Sequence, residues 1–387
     1  MTNSSLSEGL ITDEALVVFR TRIGSKLRVN NVFNKIASSE AIRKFADGIG
    51  DPNPLWRNRD YAKFTSYKQL PAPPSWVASV FPAWVLQGLP GVHAFQTSAD
   101  WEFHRPVLEN DRVVPECIFT DFRVLNSEFA GRSVLERQEA RYYDQSNRLV
   151  ARAKVAGLRA ERSATRQRGT HDHLELPHPW TEPELQTIEA EVLAEEIRGD
   201  TPRYWEDVQI GDKLPQVVRG PLGLSDIIAY CIGASPVQIK AHGVALAEYR
   251  QHPAWVFRDP KTSALEPVYG VHYNQSAASS AGLPYPYDTA VQRHCWLINL
   301  LTNWMGDNGW LKRSYAKYRG FVYLSDVLWI RGTVSAKSVD DAGEYCVDIR
   351  TTATNQRGEE VMPGISTVVL PSREHGTNAV EKRMESR

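Results

Sequence analysis

A histidine at position 272 is the residue best suited to move protons near neutral pH. It stands in GVHYNQSAASSAGLPYPYDTAVQRHCWLINLLTNWMGDNG, residues 270–309. An imidazole titrates at about pH 6.5 and serves as general acid or base. Asp288, Asp226 and Glu266 are the carboxylates that could hold its tautomer, and Asp288 serves equally well as a cap for the apolar helix that follows. Free N–H groups at that helix start, residues 286–290, could polarise a carbonyl and stabilise an enolate-like oxygen. Arg293, further into the helix, could bind a phosphate or carboxylate, or make an internal ion pair. Earlier in the chain Asp51, Asn53 and Trp56 share the turn GDPNPLW, residues 50–56. Asp and Asn in such a turn also stabilise the turn itself.

The elements that must position these residues follow from periodicity. Leu297, Leu300, Leu301 and Trp304 mark one helical face, while Trp296, Ile298 and Met305 make the other faces apolar, which predicts an enclosed helix. Ser39 predicts an N-cap for a helix through Ala46, stopped by Gly48 and the turn at Gly50. After Pro73 and Pro74, the spacing of Val77, Val80, Phe81 and Trp84 predicts a second helix, kinked at Pro82 and ended by Gly88. From Ala99 to Glu161 the pattern turns to strands: DWEFHR, RVVPECIFTDFRVL, SVLERQEARYY and RLVARAKVAGL.

A charged connection, residues 162–200, carries one helix, ELQTIEAEVLAEEI, and the second half then echoes the first. A short helix from Ser225 to Ile232 ends in Gly233-Ala234-Ser235-Pro236, where the first half has Gly50 to Pro54. YRGFVYLSDVLWIRGTV matches FHRPVLENDRVVPECIF in kind. A single insertion, residues 238–267, brings the copies into step, setting Trp56 opposite His272 and Ala62 near Ala278. The expected organisation is therefore one unit over 13–161, the connection over 162–200, and a second unit over 201–373. Each unit is a helix wrapped by an antiparallel sheet of about five strands.

Composition excludes several classes. With 45 basic and 46 acidic residues the net charge is -1, so there is no basic surplus for nucleic acid or an anionic membrane. The four cysteines form no C-x-x-C pair and read as free thiols in a reducing cytoplasm. No run of about 18 apolar residues and no leader pattern occurs, which excludes a membrane span and predicts a cytoplasmic location. Phosphate-loop, dinucleotide, G-x-S-x-G and H-E-x-x-H motifs are absent, and no cofactor is expected. His171, His173 and His178 lie in the polar connection without cysteine or carboxylate at metal spacing, so no metal is expected; His242 and His252 read as surface polarity within the insertion.

IRKFADGIGDPNPLWRNRDYAKFTSYKQLPAPPSW, FHRPVLENDRV, GVHYNQSAASSAGLPYPYD and WLINLLTNWMGDNGWL together resemble the MaoC-like acyl dehydratases. This group includes R-specific enoyl-CoA hydratases, and the likeness here includes a FAS1-like dehydratase amino-terminal half. The resemblance implies an α+β double hot-dog fold and a hydratase or dehydratase acting on an acyl thioester of CoA or an acyl-carrier protein, in a homo-oligomer. It also implies a catalytic aspartate with a histidine five positions later. Here Asp51 is followed by Trp56 in the histidine position, and His272 has Ala234 near the aspartate position, beyond the insertion. The two pseudo-equivalent sites of such a fold lie at opposite ends of the interface, so His272 needs a partner other than Asp51. The candidate catalytic residues are His272, Asp288 and Asp51; the candidate substrate contacts are Asn274, Arg293, Tyr287, Trp56, Asn53 and Ser235. The tryptophans near the proposed helices either fill hot-dog cores or face a bulky acyl group.

Overall fold

The computed structural model describes residues 9–30, 32–127, 131–162, 174–237, 239–376 and 378–385, so His171 and His173 lie outside the described residues. The first half supplies strands β1 (Lys26–Leu27), β2 (Val92–Phe103), β3 (Val114–Ser127), β4 (Gly131–Tyr143) and β5 (Leu149–Glu161). The second supplies β6 (Val217–Arg219), a separate hairpin of β7 (Val256–Arg258) and β8 (Leu265–Pro267) in the insertion, then β9 (Trp310–Lys317), β10 (Leu328–Val339), β11 (Tyr345–Asn355) and β12 (Gly364–Val369). Along β4, Glu136, Gln138, Ala140 and Tyr142 are buried and their neighbours half-exposed, the period of two expected of a strand with one covered face.

Ten strands make one continuous sheet in the order β1-β3-β4-β5-β2-β9-β12-β11-β10-β6, antiparallel throughout. The halves meet where β2 pairs β9, with Ala99 opposite Ala316 and Asp100 opposite Tyr315. Arg313 donates to both Asp100 oxygens across that seam, at 2.8 Å each. The result is the α+β double hot-dog architecture that the resemblance implies.

The duplication is visible residue by residue. Asn58 caps a helix at Arg59–Lys63 and Asn274 caps one at Gln275–Ser280, each through its side-chain oxygen. Trp56 and His272 precede these caps by the same two positions, and Ala62 and Ala278 are both fully buried inside the helices. Pro71 bridges Leu108 as Tyr287 bridges Tyr323, and the Asp111 and Asp326 carboxylates close the matching turns.

Two corrections to the expected elements have plain causes. The first helix, Ser39–Ile49, begins after Ser38 and ends at Gly50 in the left-handed conformation; its counterpart Leu224–Ala234 ends at Ser235, also left-handed. Ser235 therefore matches Gly50, and Gly233 matches Gly48. These last two glycines let the helices cross at backbone contact: a Cβ on Gly48 would sit 2.6 Å from the Ala229 carbonyl oxygen, and one on Gly233 would sit 2.4 Å from that of Lys44. Gly233→Ala is expected to lower unfolding free energy by about 1–3 kcal/mol through overpacking, read as a lower midpoint in urea denaturation.

The helix after Pro73 is the second correction. It is a 3-10 turn, Pro74–Trp76, and one α turn, Val77–Val80, with no continuation to Gly88. Pro82 disfavours helical backbone at Phe81, which adopts φ -160° and ψ 130°. Its second-half counterpart, Ala290–Met305, runs unbroken for 16 residues and is buried from Gln292 to Met305. Among the described residues no helix is long and apolar enough to cross a membrane.

Candidate active site

His272 ends a 3-10 turn, Val268–His272, and is half-buried between Tyr269 and Tyr287, whose ring centroids each lie 4.7 Å away. Its Nδ1 is 2.9 Å from the Tyr287 carbonyl oxygen. A carbonyl only accepts, so the contact assigns the proton to Nδ1 and leaves a lone pair on Nε2. Burial draws the imidazole pKa down, opposed by the Tyr287 carbonyl and the nearby Asp288 charge, so the neutral, basic form is favoured.

The carbonyl that orients His272 is itself fixed. Residues 286–288 pair with 322–324: Leu324 N donates to Pro286 O at 2.9 Å and Asp288 N donates to Val322 O at 2.8 Å. Asp288 neither caps the helix nor meets the imidazole. Thr289 is the cap, accepting from Gln292 N, and both Asp288 oxygens accept from Arg293, at 2.8 Å from Nε and 2.6 Å from Nη2. Arg293 Nη1 donates to Gly320 O at 2.9 Å and Val361 O at 3.3 Å. Arg293 is thus an internal strut and not a ligand for substrate phosphate, and Asp288 is its counter-ion and not a proton carrier. Both are essentially inaccessible, at 2% and 1% exposure.

The remaining second-half candidates are likewise engaged. Asn274 Oδ1 accepts from Ala277 N, and Nδ2 donates to Asp259 at 2.8 Å, so the residue holds the loop. Ser235 ends a helix, its N–H donating to Cys231 O at 2.9 Å. Asp226 caps Gly223 N. Glu266, on β8, is pushed up by burial and by the Asp259 charge; its own field is felt at Tyr273.

In the first half, Asp51, Asn53 and Trp56 do converge. Asp51 Oδ1 accepts from Asn53 N at 3.0 Å and Asn53 Oδ1 accepts from Leu55 N at 3.0 Å, which is the turn-stabilising role. Trp56 Nε1 faces the Asp51 carboxyl without closing a hydrogen bond. Glu195, from the connection between the halves, enters the same region. It accepts from Arg219 Nη1 at 2.7 Å and from Asn303 at 2.7 Å, and Arg219 reaches on to the Gly50 carbonyl and to Asn299.

Burial, reinforced by Glu195, pushes Asp51 from its ordinary 3.8 up to about 7. The folded state then holds this proton over a range where the unfolded chain has released it, so Asp51 costs stability as pH rises from 3.8 to about 7. Asp51→Asn should melt at the same temperature as the parent at about pH 4 and progressively higher up to about pH 7, with no further gain beyond. A constant difference across that range would refute the assignment.

A family model described as "FAS1-like, dehydratase domain region" matches residues 24–153. A UPF0336 protein of Parafrankia is 34% identical over 93 residues, 22% of this chain; the match spans 60% of that relative's length. A solved structure described as a MaoC-like dehydratase aligns with TM-score 0.62 at 18% identity, covering 91% of this chain and 99% of that one. The chain has a double hot-dog fold. A Mycobacterium tuberculosis protein described as having a double hotdog fold also aligns, with TM-score 0.53 at 11% identity over 90% of this chain and 96% of its own.

In this double hot-dog frame the first copy has an aspartate beside a tryptophan, which can donate through Nε1 but cannot accept or relay a proton. The second copy has a histidine, with a backbone carbonyl holding its tautomer. One residue that sequence reasoning missed is His93, on β2 of the opposite half. It is 5% exposed, its Nδ1 is buried without a hydrogen-bond partner among the described residues, and its ring stacks on Phe95 at 4.1 Å. Aromatic contacts lead from Phe95 to Phe321 (5.6 Å), to Tyr287 (4.9 Å) and so to His272. Burial, with smaller effects from Arg162 and His272, pushes His93 down to about 3, so it is neutral. His294, by contrast, has both ring nitrogens engaged, by Tyr318 and Ser314, and is a core histidine. In the sequence, VHAF offers only the alternation of a strand and no sign of chemistry.

Proposed function

We propose that this protein is a hydro-lyase that adds water to, or removes it from, the C2–C3 bond of an acyl thioester carried on CoA or an acyl-carrier protein. The observation that carries the reading is the fixed imidazole of His272: Nδ1–H held by the Tyr287 carbonyl, Nε2 basic, pKa drawn down by burial. In the hydration direction Nε2 takes a proton from water as its oxygen bonds to C3. The C2–C3 π pair moves toward the thioester carbonyl to give an enolate, and the imidazolium returns a proton to C2, so water is added and the base regenerated. Dehydration is the reverse. The FAS1-like dehydratase region in the first half supports the same reaction class.

The deciding experiment incubates the purified protein with short- and long-chain enoyl thioesters and follows them by mass spectrometry. The reading expects a gain of one water with the thioester retained. Loss of the carrier would make the protein a thioesterase, and an unchanged mass across the series would reduce it to an acyl-binding protein.

A further inference from the structure

The Ser39–Ile49 helix and its counterpart Leu224–Ala234 are the same element in the two halves, and their inward faces agree. Ile42 and Ile227 are fully buried, as are Phe45 and Tyr230, while Gly48 and Gly233 make the close approach between the two helices. Their outward faces differ. The first helix presents Ser39, Arg43 and Asp47 there, and Arg43 and Asp47 form a surface ion pair at 3.7 Å. The second presents Leu224, Ile228 and Ile232, exposed at 46%, 49% and 59%. The chain leaving that helix adds Val237 and Ile239, also exposed. A single exposed leucine needs no cause, but an unbroken apolar row at i, i+4 and i+8 does. Here the duplicated helix shows which residues the same position takes when it faces water, and they are polar.

From this contrast we infer that the outer face of the Leu224–Ala234 helix is covered by the same face of a second copy of this chain, in a two-fold dimer. Three features favour a second copy over an unrelated partner. The row is self-complementary: with the two helices antiparallel, Ile228 meets Ile228 of the other copy at the two-fold axis and Leu224 meets its Ile232, so that like ridges interdigitate and the helix dipoles oppose. The row carries no charge and the chain's net charge is -1, so two copies approach without strong repulsion, whereas a highly charged partner would find nothing to pair with. The area also suffices. At about half exposure, Leu224, Ile228, Ile232, Val237 and Ile239 offer roughly 250 Å² of apolar surface per copy, the centre of an interface whose polar rim brings a small dimer contact to about 600 Å² per partner.

The test uses the full-length protein in sedimentation velocity over a wide range of concentration, where the parent should pass from monomer to dimer as concentration rises. Giving the second helix the outer face of the first, Leu224→Ser, Ile228→Arg and Ile232→Asp together, should weaken the dimer at least about tenfold, because like charges then meet on the axis. The far-ultraviolet circular dichroism of that variant should match the parent's. Disulfide trapping supplies the result if the triple variant does not fold. Under mild oxidation Ile228→Cys should link two chains well ahead of both the parent and Arg43→Cys, which puts a thiol at the matching position of the first helix. A parent that stays monomeric at every concentration overturns the inference and leaves the face to a different protein. A dimer that survives the triple variant, or Ile228→Cys linking no faster than Arg43→Cys, overturns it by placing any association elsewhere. None of these readouts needs turnover at His272, so the inference stands or falls independently of the proposed reaction.

Discussion

His272→Ala is expected to reduce enoyl-thioester hydration by roughly 10²–10⁴-fold, the range that a positioned general acid or base supplies. The fold should survive, because the ring is half-buried at a loop and makes one hydrogen bond. His272→Gln is the sharper control: its amide can still donate to the Tyr287 carbonyl but has no basic nitrogen, so the loop keeps its anchor while turnover is lost. Equal turnover by parent and variants would sink the assignment. The pH profile adds a signed test. Burial lowers the folded pKa of His272, so the base persists below the ordinary histidine range, and the acid limb of kcat/KM should fall below about pH 6.5. The same shift makes the unfolded chain the better proton acceptor. The stability contributed by neutral His272 is complete above about pH 6.5 and declines as pH falls below it toward the folded pKa.

The enclosed helix and the register of the repeat were legible because both rest on local pattern. Trp56 and His272 fall into step through the matching caps Asn58 and Asn274. Glycine misled the match at the helix ends because it serves two needs. Gly50 supplies a left-handed cap, whereas Gly233 supplies close approach, and Ser235 takes the cap in the second copy at φ 38°. Aligning glycine with glycine therefore slipped the copies by two positions there. The proline rule predicts a kink at Pro82, but only a single α turn precedes it, so the helix has nothing to resume. The partner of Asp288 was undecidable from spacing, since Arg293 fits a ligand or an ion pair equally, and burial on both sides decides it. His93 gave no signal because only the pairing of the two halves brings it, through Phe95, Phe321 and Tyr287, toward His272.

The Asp288–Arg293 pair should be the most expensive contact near the site to break. Both side chains are buried, at 0% and 3% exposure, and among the described residues their polar atoms are satisfied by each other and by the Gly320 and Val361 carbonyls. Asp288→Ala leaves a buried guanidinium without its counter-ion, and a loss of about 3–5 kcal/mol is expected, measured by chemical denaturation. Arg293→Met should cost a similar amount by stranding the carboxylate. The double variant Asp288→Leu/Arg293→Met removes both charges and should recover much of the loss, because a buried pair and an apolar replacement of similar volume are often close in energy. Additive losses in the double variant would show that the two side chains act separately. The pair also bears on chemistry without touching a proton. Asp288 follows the residue whose carbonyl holds His272 Nδ1, so a folded double variant should retain the basic imidazole yet lose its aim. Its kcat should fall while the acid limb of the pH profile, which follows the His272 imidazole, stays below the ordinary histidine range. A profile displaced to the ordinary range would instead show that the Asp288–Arg293 clamp keeps the imidazole buried as well as oriented.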